Sequence, residues 1–443
     1  MRTLKIITSC SARPLSGKVF VPGDKSISHR ALLVSALSAG ETCISGLLES
    51  DDVMVTIRAI QALGSPVCRE NNGVWRVFGS GLGALKEPRD ILDMGNSGTA
   101  ARLLFGILAT HSITATLTGD NSLRARPMER IMSPLRKFGA NFLGAERGSL
   151  PLTIVGAASS VPIEYKLPIA SAQVKSAILL AALNTPGKTV VIEPIPSRDH
   201  TERLLRHFGV EIDVEEISSG GRYISVVGER ELKGNDIRVP ADISSAAFLI
   251  VAALLVPGST LHLPQVGFNP LRIGLVETLR DMGAKILEYD SADINGEPVM
   301  DISLEATPLV GVEVPIERAS SMIDEYPILA VAAACASGTT VMRGISELRL
   351  KESDRISAMT RGLRVCGVKV REAQDSLTVY GTGESPRGGA TIDAENDHRV
   401  AMAFLVLGMV SQEPITVTGA ETIKTSFPKF VDEMNALGAD LRI

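Results

Sequence analysis

One building block recurs six times along the 443 residues, and that repetition restricts the chain to a fold assembled from like units. Each copy has a polar start, a helix of small and apolar residues, a short turn and a β-rich stretch. The copies fall at Asp24–Leu47, Asn96–Gly119, Ala170–Pro194, Ala241–Val266, Met322–Ile345 and Asn396–Gly419. A second, amphipathic stretch follows each: Ser50–Gly64, Arg124–Gly139, Arg198–Gly209, Asn269–Gly283, Lys351–Gly367 and Lys424–Gly438. The closing glycines recur every 70 to 84 residues or so, a longer period than that of ordinary solenoid repeats.

The two helices of a copy have different surfaces. The first, as in Ala31–Ala39 or Ala177–Leu183, is apolar on most faces; a helix without a polar face is stable only inside. The second, as in Glu129–Lys137, keeps a polar face and belongs outside. Glycine after it suits the left-handed position that stops a helix. β-branched runs such as Thr189–Ile192 and Thr339–Val341 predict strands. The class expected is α/β, in two domains, each of three repeated units around buried inner helices. Residues 1–21 are expected to be a strand segment packing with the carboxy-terminal domain. The amino-terminal domain is expected over 22–240, and the carboxy-terminal one over 241–443, divided where Pro240 interrupts the chain.

Bulk properties exclude several kinds of protein. Apolar residues make up 45% of the chain and charged ones 21%, enough to fill two cores. The net charge of −5 provides no general attraction for nucleic acid or an anionic membrane. The longest apolar run, Ala246–Val256, falls short of the ~20 residues a bilayer requires. Cys10, Cys43, Cys68, Cys335 and Cys366 are scattered, which argues against a zinc site or disulfide framework and for a reducing cytoplasm. No GxSxG, P-loop lysine or HExxH motif is present, so neither a nucleophilic serine nor a metal is suggested.

Polar residues concentrate where helices begin. Helix N-termini carry unpaired N–H groups and partial positive charge, so they favour anions. Lys25, Ser26, Ser28, His29 and Arg30 crowd the start of the first inner helix. Asn96-Ser97-Gly98 opens the second, its small residues allowing a ligand close to the backbone. Arg126 precedes Pro127 at an outer-helix start, suited to a two-pronged grip on phosphate or carboxylate. Ser171, Ala172, Gln173 and Arg198 hold the matching places in the third copy, and Asp324 opens the fifth inner helix as a candidate base. Lys351 and Arg355 share one helix face; His398 and Arg399 open the sixth inner helix. Taken singly, each segment is also what an ordinary capped or ion-paired helix start looks like.

Taken together, PGDKSISHR, GNSGTAAR, RARP, SAQ, SRDHTE, SMIDEYP, LKESDR and NDHR, in order from Pro22 to Pro428, resemble the 5-enolpyruvylshikimate-3-phosphate (EPSP) synthases. The forms SRDHTE and SMIDEYP look more like the bacterial class II branch. The resemblance implies two domains of three βαβαββ-type units that close like a clamp, the enolpyruvyl-transferase fold. It implies transfer of the enolpyruvyl group of phosphoenolpyruvate to the 5-hydroxyl of shikimate 3-phosphate, with release of phosphate, in a family known as the target of glyphosate. No metal and no organic cofactor is implied, and the chain is expected to work as a monomer in the cytoplasm.

By position, the resemblance assigns shikimate 3-phosphate to Lys25, Ser26, Arg30, Ser171, Arg198, Asp324 and Lys351. It assigns phosphoenolpyruvate to Lys25, Asn96, Gly98, Arg126, Gln173, Arg355 and Arg399, with Ala172, His398 and Lys424 as further candidates. Asp324 would be the base, Glu352 the acid, and Lys25 an aid to proton transfer. Two places depart from the enteric pattern: Thr425, not Lys424, falls opposite the family lysine, and Leu103 stands where many members carry proline. The sister UDP-N-acetylglucosamine enolpyruvyl transferases usually carry a cysteine in the loop matching Gly119–Pro127; this chain has none there.

Overall fold

Six helices are buried along most of their length, and they become the cores. They span Lys25–Leu37, Gly98–Leu108, Ala172–Leu183, Ile243–Leu255, Tyr326–Cys335 and His398–Gly408. In the fourth, every residue from Ile243 to Leu254 is buried; in the sixth, all eleven are. The computed structural model describes residues 6–144, 148–218 and 220–443. Residues 1–5 of the expected strand segment lie outside them.

The chain divides into two units. One comprises Gly23–Val239 together with Asp293–Glu297; the other comprises the chain up to Pro22, Pro240–Ala292 and Pro298–Ile443. Each has its own hydrophobic core around three of the inner helices.

In the amino-terminal unit, three four-stranded sheets surround the inner helices. Leu92–Asp93 runs parallel to Thr114–Thr118, and Glu164–Lys166 runs parallel to Lys188–Glu193. A parallel pair requires a long crossover, and the inner helix between the two strands supplies it. An outer helix and an antiparallel hairpin follow, completing a βαβαββ unit. The first repeat has no strand before its inner helix. Ile237–Arg238, at the far end of the unit, fills that place beside Ala39–Ser45. The second and third inner helices pack so closely at Gly106 that a Cβ there would lie 2.4 Å from the Ala177 carbonyl oxygen. Only glycine allows this approach.

The carboxy-terminal unit repeats the plan with two strands drawn from the start of the chain. Ser16–Lys18 runs parallel to Thr260–Gly267. Ile7–Cys10 lies between Ile415–Thr418 and Asp440–Arg442, antiparallel to both. The outer helices are Asp51–Ala62, Glu129–Lys137, His200–His207, Gly274–Asp281, Arg355–Val365 and Phe430–Leu437. Among the described residues no helix is long and apolar enough to cross a membrane.

Candidate active site

Five of the six inner helices begin with a side-chain cap that satisfies a backbone N–H of the first turn. Asp24 accepts from the Ile27 N–H at 2.8 Å, Ser97 from Ala100 at 3.2 Å and Ser171 from Val174 at 3.4 Å. These three starts in the amino-terminal unit are tied to one another by hydrogen bonds. His29 joins the first to the second, its Nδ1 2.7 Å from Thr56 Oγ1 and its Nε2 3.5 Å from Ser97 Oγ. Gln173 joins the third to the second, accepting from Arg102 Nη1 at 2.9 Å and donating to Thr99 Oγ1 at 2.9 Å. Arg30 joins the first to the third, donating to Ser176 Oγ at 2.8 Å and Thr201 Oγ1 at 2.7 Å.

Around this ring the cations are aimed by neighbours. Lys25 Nζ pairs with Asp52 at 3.0 Å. Asn96 donates to Asp120 at 2.7 Å and accepts from Arg126 Nη2 at 2.8 Å. Gly98 leaves room for two guanidinium groups: a Cβ there would stand 2.7 Å from Arg102 Nη1 and 3.1 Å from Arg126 Nη1. Arg198 lies half-buried on the loop before the outer helix His200–His207. That loop is anchored by Lys175, wholly buried, whose Nζ reaches Ser197 O at 3.1 Å, Glu193 at 3.1 Å and Glu202 at 2.8 Å.

Burial, and then the charges of Lys25 and Arg30, lower the His29 pKa to about 3, so this histidine is a neutral linker. Arg30 likewise turns donors inward, to Thr201 and Ser176 and to the Ser26 carbonyl. The Lys–Ser–His–Arg turn therefore combines an internal brace with groups at its rim.

In the carboxy-terminal unit the same three-helix arrangement carries acids. Asp324 sits in the turn before the helix Tyr326–Cys335, whose N-cap residue, Glu325, makes no side-chain cap. The Asp324 carboxylate faces Arg355 Nη1 at 3.2 Å, Lys351 Nζ at 3.6 Å and Arg399 Nη2 at 4.0 Å. Arg355, 1% exposed, also donates from Nη2 to Glu352 and from Nε to Asp397 at 2.7 Å. Burial alone would lower the pKa of this arginine; Asp397, Glu352 and Asp324 raise it instead, so the cation is permanent. Asp397 in turn caps the sixth inner helix through the N–H groups of Arg399 and Val400. His398 is buried beside them. Lys424 points outward from the short helical segment Ala420–Thr425, where Thr425 bonds to Thr422.

A sequence profile of EPSP synthase (3-phosphoshikimate 1-carboxyvinyltransferase) matches residues 11–434. The chain belongs to the EPSP synthase family. It is 57% identical over 437 residues to the 3-phosphoshikimate 1-carboxyvinyltransferase of Paramagnetospirillum magneticum, covering 99% of this chain and 98% of that protein. It is 55% identical to that of Rhodospirillum rubrum, covering 97% and 96%. The solved EPSP synthase of Acinetobacter baumannii matches over the full length of both chains with a TM-score of 0.86 and 42% identity. The enolpyruvyl transferase NikO of Streptomyces tendae, 18% identical with a TM-score of 0.75, shares the fold.

Within this EPSP synthase family member, Lys25, Ser26, Arg30, Asn96, Gly98, Arg126, Ser171, Ala172, Gln173 and Arg198 lie in the amino-terminal unit. Asp324, Lys351, Glu352, Arg355, His398, Arg399 and Lys424 lie in the other. The reading of motifs missed Arg102, Glu325 and Asp397 as partners of these groups. Each stands inside a quoted motif, as the last residue of GNSGTAAR, after the aspartate of SMIDEYP and within NDHR. Among the described residues no cluster of three or more His, Cys, Asp or Glu side chains could hold a metal ion.

Proposed function

We propose that this enzyme transfers the enolpyruvyl group of phosphoenolpyruvate to the 5-hydroxyl of shikimate 3-phosphate, with Asp324 and Glu352 as its acid–base pair. Asp324 takes the hydroxyl proton, and Glu352 delivers a proton to the methylene carbon of phosphoenolpyruvate. The hydroxyl oxygen bonds to the carbon that bears the phosphate. The tetrahedral adduct then loses phosphate and a methyl proton, restoring the double bond. Lys25 assists proton transfer.

The observation that carries this assignment is that one buried guanidinium holds both acids, Asp324 on Nη1 and Glu352 on Nη2. A fixed pair of carboxylates on separate donors suits two proton transfers to different atoms of one adduct. Lys25, Ser26, Arg30, Ser171, Arg198 and Lys351 are assigned to shikimate 3-phosphate. Asn96, Gly98, Arg126, Gln173, Arg355 and Arg399 are assigned to phosphoenolpyruvate. Fixed cations and helix-start N–H groups stabilise an adduct that carries two phosphates and two carboxylates, without reorganising during the reaction. The enzyme is taken to act as a monomer in a reducing cytoplasm, in keeping with five free cysteines.

Asp324→Asn and Glu352→Gln keep shape and lose proton exchange. Each is expected to bind shikimate 3-phosphate in calorimetric titration within a few-fold of the parent, while kcat falls by about 10²–10⁴. Parental turnover in both variants would remove the acid–base assignment.

A further inference from the structure

Two arginines of the carboxy-terminal unit are treated very differently. The guanidinium of Arg355 is held by three carboxylates, as above. That of Arg399, 7% exposed, donates no hydrogen bond among the described residues. Its nearest acids are loose partners: Glu325 Oε1 at 3.8 Å from Nη1 and Asp324 Oδ2 at 4.0 Å from Nη2. Arg399 is thus poised between two carboxylates, with its donors available to a third anion.

Glu325 is an unusual neighbour for it. The residue is 1% exposed, and although it occupies the N-cap of the helix Tyr326–Cys335, its side chain caps nothing. Oε1 accepts from Ser244 Oγ, whereas Oε2 is buried with no hydrogen-bond partner. A buried carboxylate left half unsatisfied is a liability, and the cation nearest to it is Arg399 at 3.8 Å. Ser244 is itself fixed by Arg272 Nη2 at 2.8 Å, and Arg272 pairs with Asp242, the cap of the fourth inner helix, at 3.5 Å. The line Asp242–Arg272–Ser244–Glu325–Arg399 therefore runs from one helix start to the next and ends one guanidinium away from Asp324.

We infer that Glu325 is a positioning residue whose buried charge draws Arg399 back from Asp324, keeping that carboxylate available as base and the arginine's donors available to phosphoenolpyruvate. This rests on the roles given above to Asp324 and Arg399. With Glu325 neutral, Asp324 is, among the described residues, the one carboxylate still within 4.0 Å of the Arg399 guanidinium. The two then close into a direct pair, which adds a second guanidinium to the carboxylate that Arg355 and Lys351 already hold and turns the Arg399 cation from substrate.

The test is steady-state phosphate release by the full-length enzyme with both substrates. Glu325→Gln retains the volume and an acceptor for Ser244, so the fold should persist. Its kcat is expected to fall about tenfold, roughly one decade of transition-state stabilisation, with the KM for shikimate 3-phosphate unchanged. Because Glu325 acts through Arg399, the same substitution in an Arg399→Ala background should add no further loss, a non-additivity that a general packing defect does not produce. Ser244→Ala, which frees the anchor but keeps the charge, should lower kcat about threefold in the same sense, and it decides the matter if Glu325→Gln does not fold. Parental kcat in Glu325→Gln, equal losses in both backgrounds, or an unaffected Ser244→Ala where only that variant folds, would overturn the inference. Parental turnover in Asp324→Asn and Arg399→Ala would instead overturn the acid–base reading on which it stands.

Discussion

Replacing Lys175 by methionine tests whether the candidate residues of the amino-terminal unit rest on a buried charge cluster. The Lys175 ammonium and the Glu193 and Glu202 carboxylates are almost wholly excluded from water. Two acids share one cation. Burial pushes the Glu193 pKa up against the attraction of Lys175. The lysine is held charged: burial would lower its pKa, but Glu202 and Glu193 outweigh that. Methionine fills the space and leaves both acids without their cation. Removing one partner of a buried pair costs about 3–5 kcal/mol. At roughly 2–4 °C per kcal/mol, the amino-terminal unit should melt ~6–20 °C lower.

The pH dependence has a defined sign. A carboxyl whose folded pKa lies above its unfolded value binds protons on folding, so its contribution is greatest at low pH and is lost as pH rises. Without Lys175 the Glu193 carboxyl moves further in that direction, so the deficit should shrink between about pH 8 and about pH 5. Circular dichroism melts of parent and variant at both pH values provide the assay. Lys175→Met combined with Glu193→Gln and Glu202→Gln should recover most of the loss. A Lys175→Met melting temperature within about 2 °C of the parent at the higher pH would refute the reasoning.

Gly98→Ala places a methyl 2.7 Å from Arg102 Nη1 and 3.1 Å from Arg126 Nη1, both ends of flexible side chains. The fold should survive, and the KM for phosphoenolpyruvate should rise ~5–30-fold, equivalent to about 1–2 kcal/mol; an equal rise for both substrates would contradict the placement. His29, neutral when folded with a pKa of about 3 against 6.5, contributes stability that is present above 6.5 and lost as pH falls toward 3. Urea midpoints across that range should fall in the parent, and less steeply in His29→Asn.

The repeats were legible because each states one physical contrast twice over, an inner helix with no polar face and an outer one with a polar face and a terminal glycine. Gly64 and Gly139 illustrate the stop: both follow outer helices at φ near +100°, which a side chain rarely adopts. The two- and three-residue strands were not legible. Ile237–Arg238 and Ser16–Lys18 join sheets hundreds of residues away or across a whole unit, and such short segments carry no periodicity of their own. At the site, sequence marked the helix starts but not which charges would be used up internally. His29 and Arg30 look like ligand groups until Thr56, Ser97, Thr201 and Ser176 are found around them. Lys175, which no motif singled out, is wholly buried. The His29–Ser97 and Arg30–Ser176 pairings bring together side chains from different repeats, which no local motif encodes.

The most direct measurement is phosphate release by the purified chain given phosphoenolpyruvate, with shikimate 3-phosphate either present or withheld. Release is expected only when both are present, one phosphate for each enolpyruvyl group transferred. Release from phosphoenolpyruvate alone, or none with shikimate 3-phosphate, would contradict the account.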